Sequence, residues 1–386
     1  MRPLIRLIVS SVYGCLRSGS IAPPVAKAVA TAGNTSSGIR TRRQNGTMGG
    51  LAAPRWCVIV LMMVASGISG DARQRLQEIK TRGYLACGIS PGYAGFAQRT
   101  DRGGYSGFDI DICRAIATAM LAKPDRLQLR ETASIQQFLQ SSEIDVVSRR
   151  LTWTLERETS FEVLFGPVVF YDGQGFLAAR RLRAVTVPDL AGATICVDAG
   201  TLQERRLGTY FQSHNLRLVK VVPKPKSDVA AMLQSGQCDA YSADVSELAS
   251  LRAGMKGASA FEIVGSQISK EPLAPLVRAG DRGFYQIVRW AVLALIAAEE
   301  LRISSTNIEA MARSDDPEVR HLLGVTPGIG RALGLDEKWA YRMIKEVGNY
   351  AEIYDRHLGP ATPLKLDRGV NRLWIDGGLL YSPPLR

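Results

Sequence analysis

LQSSEIDVVSRR, residues 139–150, and LQSGQCDAYSAD, residues 233–244, have the same organisation although they lie far apart in the chain. Each begins as the end of a helix, passes through a turn of small polar residues, and continues through an acid into a strand. We interpret them as equivalent positions in two related lobes. Helices and strands alternate in the same way from about residue 72 onward, which predicts an α/β fold with parallel sheets and a ligand at the carboxyl ends of the strands.

Two segments are predicted to carry the chain between these lobes. YDGQGFLAAR, residues 171–180, leads from lobe one to lobe two, and ISKEPLAPLVRAGD, residues 268–281, leads back. A double crossing allows two lobes to hinge about a cleft. We therefore expect lobe one to comprise residues 71–174 and 274–386, and lobe two to comprise residues 175–273.

Composition and charge describe an ordinary soluble protein rather than a nucleic-acid binder. Of the 386 residues, 46% are apolar and 22% are charged. The net charge is +12, but residues 1–70 contain eight Lys or Arg and no acid, so only +4 belongs to the remainder. This remaining charge is modest and dispersed, which argues against a nucleic-acid interface.

The first 70 residues divide into two parts. Residues 1–47 are rich in Ser, Ala, Gly and Arg without apolar periodicity, so we expect a disordered or untranslated leader, with translation starting at Met48. Residues 48–70 have the pattern of a secretory signal peptide: a basic residue, a ten-residue apolar run at 56–65, and then small residues. That run is too short to span a membrane. The alternative is an organelle transit peptide, because the whole region is rich in Arg and free of acids.

Cysteine usage fits export to an oxidising compartment. Beyond the leader there are four cysteines, which permit three pairings: Cys87, Cys113, Cys196 and Cys238. Joining Cys87 to Cys113 gives the first half of the chain one bridge, and joining the other two gives the second half another. The alternative is four buried thiols. The chain has no CxxC motif and only three histidines, so we predict neither a zinc site nor a cofactor.

Seven segments occur in an order that is typical of one protein family. They are GYAGF (92–96), GFDIDIC (107–113), DVVSRRLTWTLERETSFEVLFGPVVFYDGQGF (145–176), DAGTLQE (198–204), CDAYSAD (238–244), ISKEPLAPLVRAGD (268–281) and VGNYAEIYDRHLGP (347–360). In sequence and order they resemble the periplasmic general, or polar, L-amino-acid-binding proteins of ABC importers. The resemblance extends from about residue 72 to the carboxyl end.

This resemblance implies a bilobed periplasmic-binding-protein fold of type II, with two sheet-based lobes joined by a two-strand hinge. It implies a protein exported to the periplasm, where it closes on an amino acid and delivers it to the membrane permease of an ABC importer. We expect a monomer.

The resemblance also assigns contacts to the ligand. Tyr93 would cover it, and Arg157 would bind its α-carboxylate through two parallel hydrogen bonds. Thr152 would assist this contact. Asp244 would bind the α-ammonium group. Arg149 matches the family pattern at its own position, without a defined role.

Departures from the family pattern concern the choice of ligand. Arg150 and Leu151 stand where small polar residues are usual. In the turn of the second lobe, Thr201 is followed by Leu202 in place of a second threonine, whose hydroxyl normally contacts the ligand. Buried polar partners determine specificity more sharply than apolar ones, so a gained cation and a lost hydroxyl favour an acidic amino acid or another small multi-anion.

Purely structural interpretations of individual residues stay open. Arg150 could pair with a nearby acid and leave the usual ligand in place, the acids being Asp145, Glu156 and Glu158. Asp109 is placed to cap the helix that begins near it, and we interpret it as a cap rather than a ligand contact. Gln136 stands where an aromatic lid is expected.

We expect no catalysis. Some proteins of this architecture are periplasmic dehydratases, which use a carboxylate in the cleft as a general acid or base. The matched loops contain no unassigned acid that must face the cleft. A sensory ligand-binding module is the other alternative, because it shares the same fold and site.

Overall fold

Helices and strands alternate along residues 74–223 and 228–385, which the computed structural model describes. The predicted leader at residues 1–47 and the predicted signal peptide at residues 48–70 lie outside the described residues. No helix in the described ranges is long and apolar enough to cross a membrane.

The strands of the described ranges are β1 (Leu85–Ile89), β2 (Gln98–Arg99), β3 (Tyr105–Ser106), β4 (Leu127–Glu131), β5 (Val146–Val147), β6 (Val163–Phe165), β7 (Phe170–Asp172), β8 (Gln174–Ala179), β9 (Thr194–Cys196), β10 (Val219–Val221), β11 (Ala240–Asp244), β12 (Phe261–Val264), β13 (Glu271–Leu273) and β14 (Leu276–Arg278). The α-helices of the same ranges are α1 (Gln74–Arg82), α2 (Phe108–Leu121), α3 (Ile135–Gln140), α4 (Leu155–Ser160), α5 (Leu202–Ser213), α6 (Val229–Gln234), α7 (Val245–Gly254), α8 (Arg282–Glu300), α9 (Ile308–Met311), α10 (Pro317–Leu322), α11 (Ile329–Leu333), α12 (Trp339–Val347) and α13 (Tyr350–His357).

Two five-stranded sheets have equivalent strand orders, in which strands at matching places along each lobe occupy the same position. The first is β4-β1-β5-β14-β6, and the second is β10-β9-β11-β8-β12. The strands of the two matched sequence segments, β5 and β11, each take the central position. The prediction that these segments occupy equivalent positions in two lobes is therefore confirmed.

Each sheet is mixed, which corrects the expectation of parallel sheets. In the first sheet β1 pairs in parallel with β4 and β5, whereas β14 runs antiparallel to β5 and β6. In the second sheet β8 is likewise antiparallel to β11 and β12. The reason is topological: β8 and β14 enter their sheets directly from a crossing, without the helical connection that a parallel neighbour requires.

The crossings form a two-stranded pair of their own. β7 and β13 are antiparallel, with Asp172 opposite Glu271 and Phe170 opposite Leu273. In the chain, β7 directly precedes the first strand of the second sheet, and β13 directly follows the last one. This is the two-strand hinge that the resemblance implied.

Local signals explain why the repeated unit folds alike in both lobes. Ser134 caps α3 by accepting the backbone N–H of Gln137, and Asp228 caps α6 by accepting that of Ala231. Each short helix then ends in a turn of small polar residues and leads into the buried central strand. The same cap, turn and strand therefore set up the same corner of each lobe.

The helix α2 is buried on most sides, between β1 and the helices α8, α12 and α13. The residue at its N-cap is Gly107, with φ of 142°. Glycine is needed there because a Cβ would lie 2.1 Å from the carbonyl oxygen of Phe96. Asp109 is therefore not the cap, contrary to expectation. It lies buried in the first turn of α2 and is available for another role.

Disulfide bridges join Cys87 to Cys113 and Cys196 to Cys238, with Cα atoms 6.2 Å and 5.7 Å apart. The first ties β1 to α2, and the second ties β9 to the turn before β11. These are the two pairs that the sequence analysis favoured, and each lobe has one of them.

Candidate ligand-binding cleft

Two central strands end where the lobes face each other. β5 leads into Arg149 and Arg150, and β11 ends at Asp244. The charge of Arg150 acts on Asp244, and its guanidinium group lies over Tyr93, so side chains of both lobes meet here. Direct contacts or charge interactions connect six of the predicted site residues in this region: Tyr93, Arg149, Arg150, Thr152, Arg157 and Asp244.

The turn after β5 is held by the buried carboxylate of Asp109. Ser148 donates a 2.8 Å hydrogen bond to its Oδ1, and the backbone N–H of Arg150 also binds it. Burial raises the pKa of Asp109 to about 6, although these hydrogen bonds and the charges of Arg150 and Arg149 lower it. Arg150 itself has φ of 57°, which few residues other than glycine adopt. Asp109 therefore fixes the strained turn that aims the two arginines.

Arg150 reaches across to the second lobe. Its guanidinium carbon lies 3.7 Å from the ring centroid of Tyr93 and 5.5 Å from that of Phe96, a cation–π arrangement. Its Nη2 lies 4.0 Å from Oε2 of Glu247 in α7, and the side chain is only 9% exposed. The arginine is thus packed on aromatic rings of lobe one and faces an acid of lobe two.

The acids considered as alternative partners of Arg150 do not pair with it. Asp145 pairs with other arginines, Glu158 accepts an indole N–H group, and Glu156 is exposed on α4. Among the described residues, Glu247 is the carboxylate within ion-pair distance of Arg150. The interpretation that Arg150 pairs with Asp145, Glu156 or Glu158 is therefore wrong.

Arg157 is positioned by local contacts. Thr154 caps α4 by accepting the backbone N–H of Arg157 at 3.2 Å. Nη1 of Arg157 donates to the carbonyl oxygen of Thr152 at 2.6 Å, which orients the guanidinium plane. Burial lowers the pKa of Arg149, and the nearby charges of Arg157 and Arg150 lower it further. Three guanidinium groups therefore converge on this side of the cleft.

The hydroxyl of Thr152 is engaged by the hinge. It donates a 2.8 Å hydrogen bond to Oε2 of Glu271 in β13, whose other oxygen accepts from Arg206 of α5 and from Ser269. Because its proton is committed to Glu271, Thr152 can offer a ligand only the lone pairs of its oxygen. This differs from the simple assisting role that the resemblance implied.

On the second lobe, Asp244 stands at the start of α7 but makes no capping hydrogen bond. Its carboxylate accepts a 3.3 Å hydrogen bond from Gln203, and burial raises its pKa. Thr201, by contrast, does cap its helix: it accepts the backbone N–H of Glu204 and donates to a backbone carbonyl. Leu202 follows it and is 44% exposed. The carboxylate of Asp244 is therefore the more available polar group of this lobe.

A second buried acid, Asp172, lies at the end of β7. Its Oδ1 accepts the backbone N–H groups of Gly173 and Ser246. Burial and the nearby charge of Asp244 raise its pKa to about 6, although the charge of Arg150 lowers it. The hinge thus adds negative charge to the floor of the cleft.

Unpaired polar atoms are concentrated in this region. Four buried side-chain polar atoms of the described residues in this region have no hydrogen-bond partner. Three are donors, Nε of Arg149 and both Nε and Nη1 of Arg150, and the fourth is the acceptor Oε1 of Gln174. The side chains of Asp172 and Ser246 hydrogen-bond to each other. Buried polar atoms are nearly always paired. The cleft is therefore suited to a polar molecule that carries both acceptors and donors.

Several residues of this region were not identified from the sequence. Besides Asp109, whose role differs from that expected, they are Asp172, Arg206, Glu247 and Glu271. Only their positions in the sequence could have identified them. Asp172 and Glu271 are acids within the crossing segments, and Arg206 and Glu247 lie about one helical turn after the predicted site residues Leu202 and Asp244. Gln136 is exposed in the first turn of α3. In the described ranges, no three His, Cys, Asp or Glu side chains are grouped as a metal site requires.

Comparisons with known proteins agree with this architecture. The general L-amino acid-binding periplasmic protein of Rhizobium johnstonii is 42% identical over 328 residues, covering 84% of this chain and 96% of the relative. The glutamate/glutamine/aspartate/asparagine-binding protein of Rhodobacter capsulatus is 40% identical over 332 residues, covering 85% and 97%.

A solved structure is similar as well. It is an ABC transporter periplasmic binding protein from Brucella ovis with glutathione bound, at a TM-score of 0.73 and 40% identity, covering 81% of this chain and 99% of that one. The model of the family of bacterial extracellular solute-binding proteins, family 3, matches residues 85–306. These similarities are to binding proteins and not to enzymes, so the dehydratase alternative is set aside. The chain belongs to family 3 of the bacterial extracellular solute-binding proteins.

Proposed function

We propose that this chain is the amino-acid-binding component of an ABC importer, and that one amino acid binds between its two lobes. The observation that carries the proposal is the set of unpaired donors and acceptors in the cleft. An amino acid zwitterion presents a carboxylate to the donors and an ammonium group to the acceptors. The relatives named for binding amino acids support the same conclusion.

In this proposal the α-carboxylate binds Arg157, whose guanidinium group is oriented by the carbonyl oxygen of Thr152. Arg149 lies close enough to add a second donor. The α-ammonium group binds Asp244, whose carboxylate is not used as a helix cap. Tyr93 covers the ligand from lobe one.

Within the second lobe, Thr201 and Leu202 contribute less to ligand binding than Asp244 does. The hydroxyl of Thr201 is occupied by its capping role, so we propose that its turn contributes backbone groups or shape rather than a hydroxyl contact. The oxygen of Thr152 is proposed to accept from the ligand ammonium group, because its proton binds Glu271.

We further propose that the lobes, residues 71–174 with 274–386 and residues 175–273, close on the ligand about the β7–β13 hinge. Closure excludes water, which strengthens each ionic contact. The closed form would be recognised by the permease. Export by the segment at 48–70 would place a monomer in the periplasm.

The test is isothermal titration calorimetry of the purified protein with each common L-amino acid and with glutathione. We expect one ligand per chain, with binding accompanied by a fall in radius of gyration in X-ray scattering. If no amino acid binds, the proposal is rejected. If only glutathione binds, the ligand is a peptide and the amino-acid assignment fails while the cleft assignment stands.

A further inference from the structure

The surroundings of Arg150 are those that a cationic ligand would need. A flat guanidinium group lies over an aromatic ring, with a carbon-to-centroid distance of 3.7 Å to Tyr93, and faces Glu247 of the opposite lobe. Aromatic faces combined with carboxylates are how proteins bind ligand cations. Here the chain itself supplies the cation.

Several acids interact electrostatically with the charge of Arg150. The charge of Arg150 lowers the pKa values of Asp109, Asp172, Asp244 and Glu247, against the larger effect of burial, which raises all four. Asp109 and Asp172 are buried, and Asp244 and Glu247 are partly buried, so the repulsion among these acids is screened less than it would be on an open surface. Without Arg150, the same acids would form a site with excess negative charge.

The position of Arg150 is fixed rather than accidental. Its backbone has a left-handed conformation, with φ of 57°, and its N–H group is bound by the buried carboxylate of Asp109. Its side chain is 9% exposed. Burying an arginine is costly unless it is paired, and here the aromatic ring and the acids provide that pairing.

We propose that Arg150 occupies the place of a ligand's cationic side chain, so that the cleft rejects arginine and lysine. Its unpaired Nε and Nη1 then select a ligand whose side chain offers an oxygen acceptor, either a carboxylate or an amide. This inference rests on the proposed amino-acid site. It makes Arg150 a specificity-determining residue in that site.

The test compares the wild-type protein with Arg150→Asn, because asparagine tolerates the left-handed conformation better than most residues. Calorimetric titrations use L-arginine, L-lysine, L-glutamate and L-glutamine. We expect the variant to bind arginine about a hundredfold more tightly than the wild type does, because like charges within a few ångströms repel strongly in a partly dry site. Glutamate binding should weaken at least about tenfold, through the loss of a charged donor. Arg150→Lys keeps the charge and should still reject arginine.

The matched control is Arg99→Asn. Arg99 also lies over a tyrosine ring, at 5.2 Å from Tyr105, and pairs with Glu131, but this contact is exposed and outside the cleft. It should leave all four affinities unchanged. In the Arg150→Asn background, Glu247→Gln should remove most of the gained arginine affinity.

The outcomes separate this inference from the function on which it rests. If the wild type binds no amino acid, both are overturned. If the wild type binds glutamate or glutamine but binds arginine equally well, only the inference is overturned. Unchanged arginine affinity in Arg150→Asn has the same meaning. Should that variant fail to fold, as circular dichroism would reveal, Arg150→Gln removes the charge while keeping two of the three methylene groups and provides the same comparison.

Discussion

Thr152 donates a 2.8 Å hydrogen bond to Glu271, which lies 119 residues later in the chain. Glu271 is 7% exposed in the hinge strand β13, and it also pairs with Arg206 of the second lobe. One buried carboxylate therefore joins a predicted ligand-binding residue of lobe one to a helix of lobe two. The geometry of the site and the geometry of the hinge depend on the same group.

Replacing this carboxylate should destabilise the protein. Glu271→Ala leaves Arg206 without its partner and Thr152 without an acceptor, so we expect a loss of about 2 kcal/mol in the free energy of unfolding. Urea denaturation measures it. The control is Glu262→Ala, which breaks a more exposed pair with Arg180 and should cost less than about 1 kcal/mol. Equal losses in the two variants would contradict a special role for the hinge carboxylate.

Truncating Arg157 should remove ligand binding while leaving the fold intact. Arg157→Ala is expected to weaken the amino acid's affinity at least about a hundredfold, because a charge-assisted pair is lost in the closed cleft. Arg157→Lys keeps the charge but not the two parallel donors, so its affinity should lie between those of the wild type and Arg157→Ala. Calorimetry gives the affinities, and the melting temperature should stay close to that of the wild type. Arg331→Ala, at an exposed arginine of α11, should bind normally. Retained affinity in Arg157→Ala would refute the carboxylate assignment.

The buried carboxylate of Asp172 should make stability rise as the pH falls through 6. Its pKa is raised from 3.8 to about 6 in the folded protein. Between these values the folded form holds a proton that the unfolded chain releases, so ionisation above pH 6 costs the native state about 3 kcal/mol. Asp172→Asn removes this cost.

We therefore expect Asp172→Asn to gain stability over the wild type at pH 7.5 and to lose that advantage by pH 4. The difference in the free energy of unfolding between variant and wild type, followed across this range by urea denaturation, isolates Asp172 from other acids. Asp109, whose pKa is also about 6, stays in both proteins and cancels. A difference that does not change with pH would show that Asp172 is not titrating there.

Each disulfide should stabilise its own lobe. The bridges span 26 and 42 residues, so the chain-entropy relation gives about 3.5 kcal/mol for Cys87–Cys113 and about 4 kcal/mol for Cys196–Cys238. Double alanine variants of each pair, unfolded in urea without reductant, measure these contributions. Adding reductant to the wild type should lower its unfolding midpoint, whereas an unchanged midpoint would show that neither bridge contributes.

Much of the fold could be predicted from the sequence because it depends on short-range patterns. The two related segments at 139–150 and 233–244 indicated equivalent positions in two lobes, and their strands β5 and β11 do occupy the same position in the two sheets. Thr154 could be identified as the cap of α4 because capping depends on residues a few positions apart. The antiparallel direction of β8 and β14 was not predicted, since strand direction depends on how the chain re-enters each sheet after a crossing.

The sequence by itself determined that arginines gather after β5 and that Asp244 stands at the end of the matching strand of the other lobe. Only the tertiary structure decided what these groups touch. It placed Arg150 over Tyr93 and opposite Glu247, and it directed the hydroxyl of Thr152 to donate its hydrogen bond to Glu271. The physical reason is that a buried charge must be paired, and its partner is chosen by the packing of distant segments rather than by neighbours in the chain.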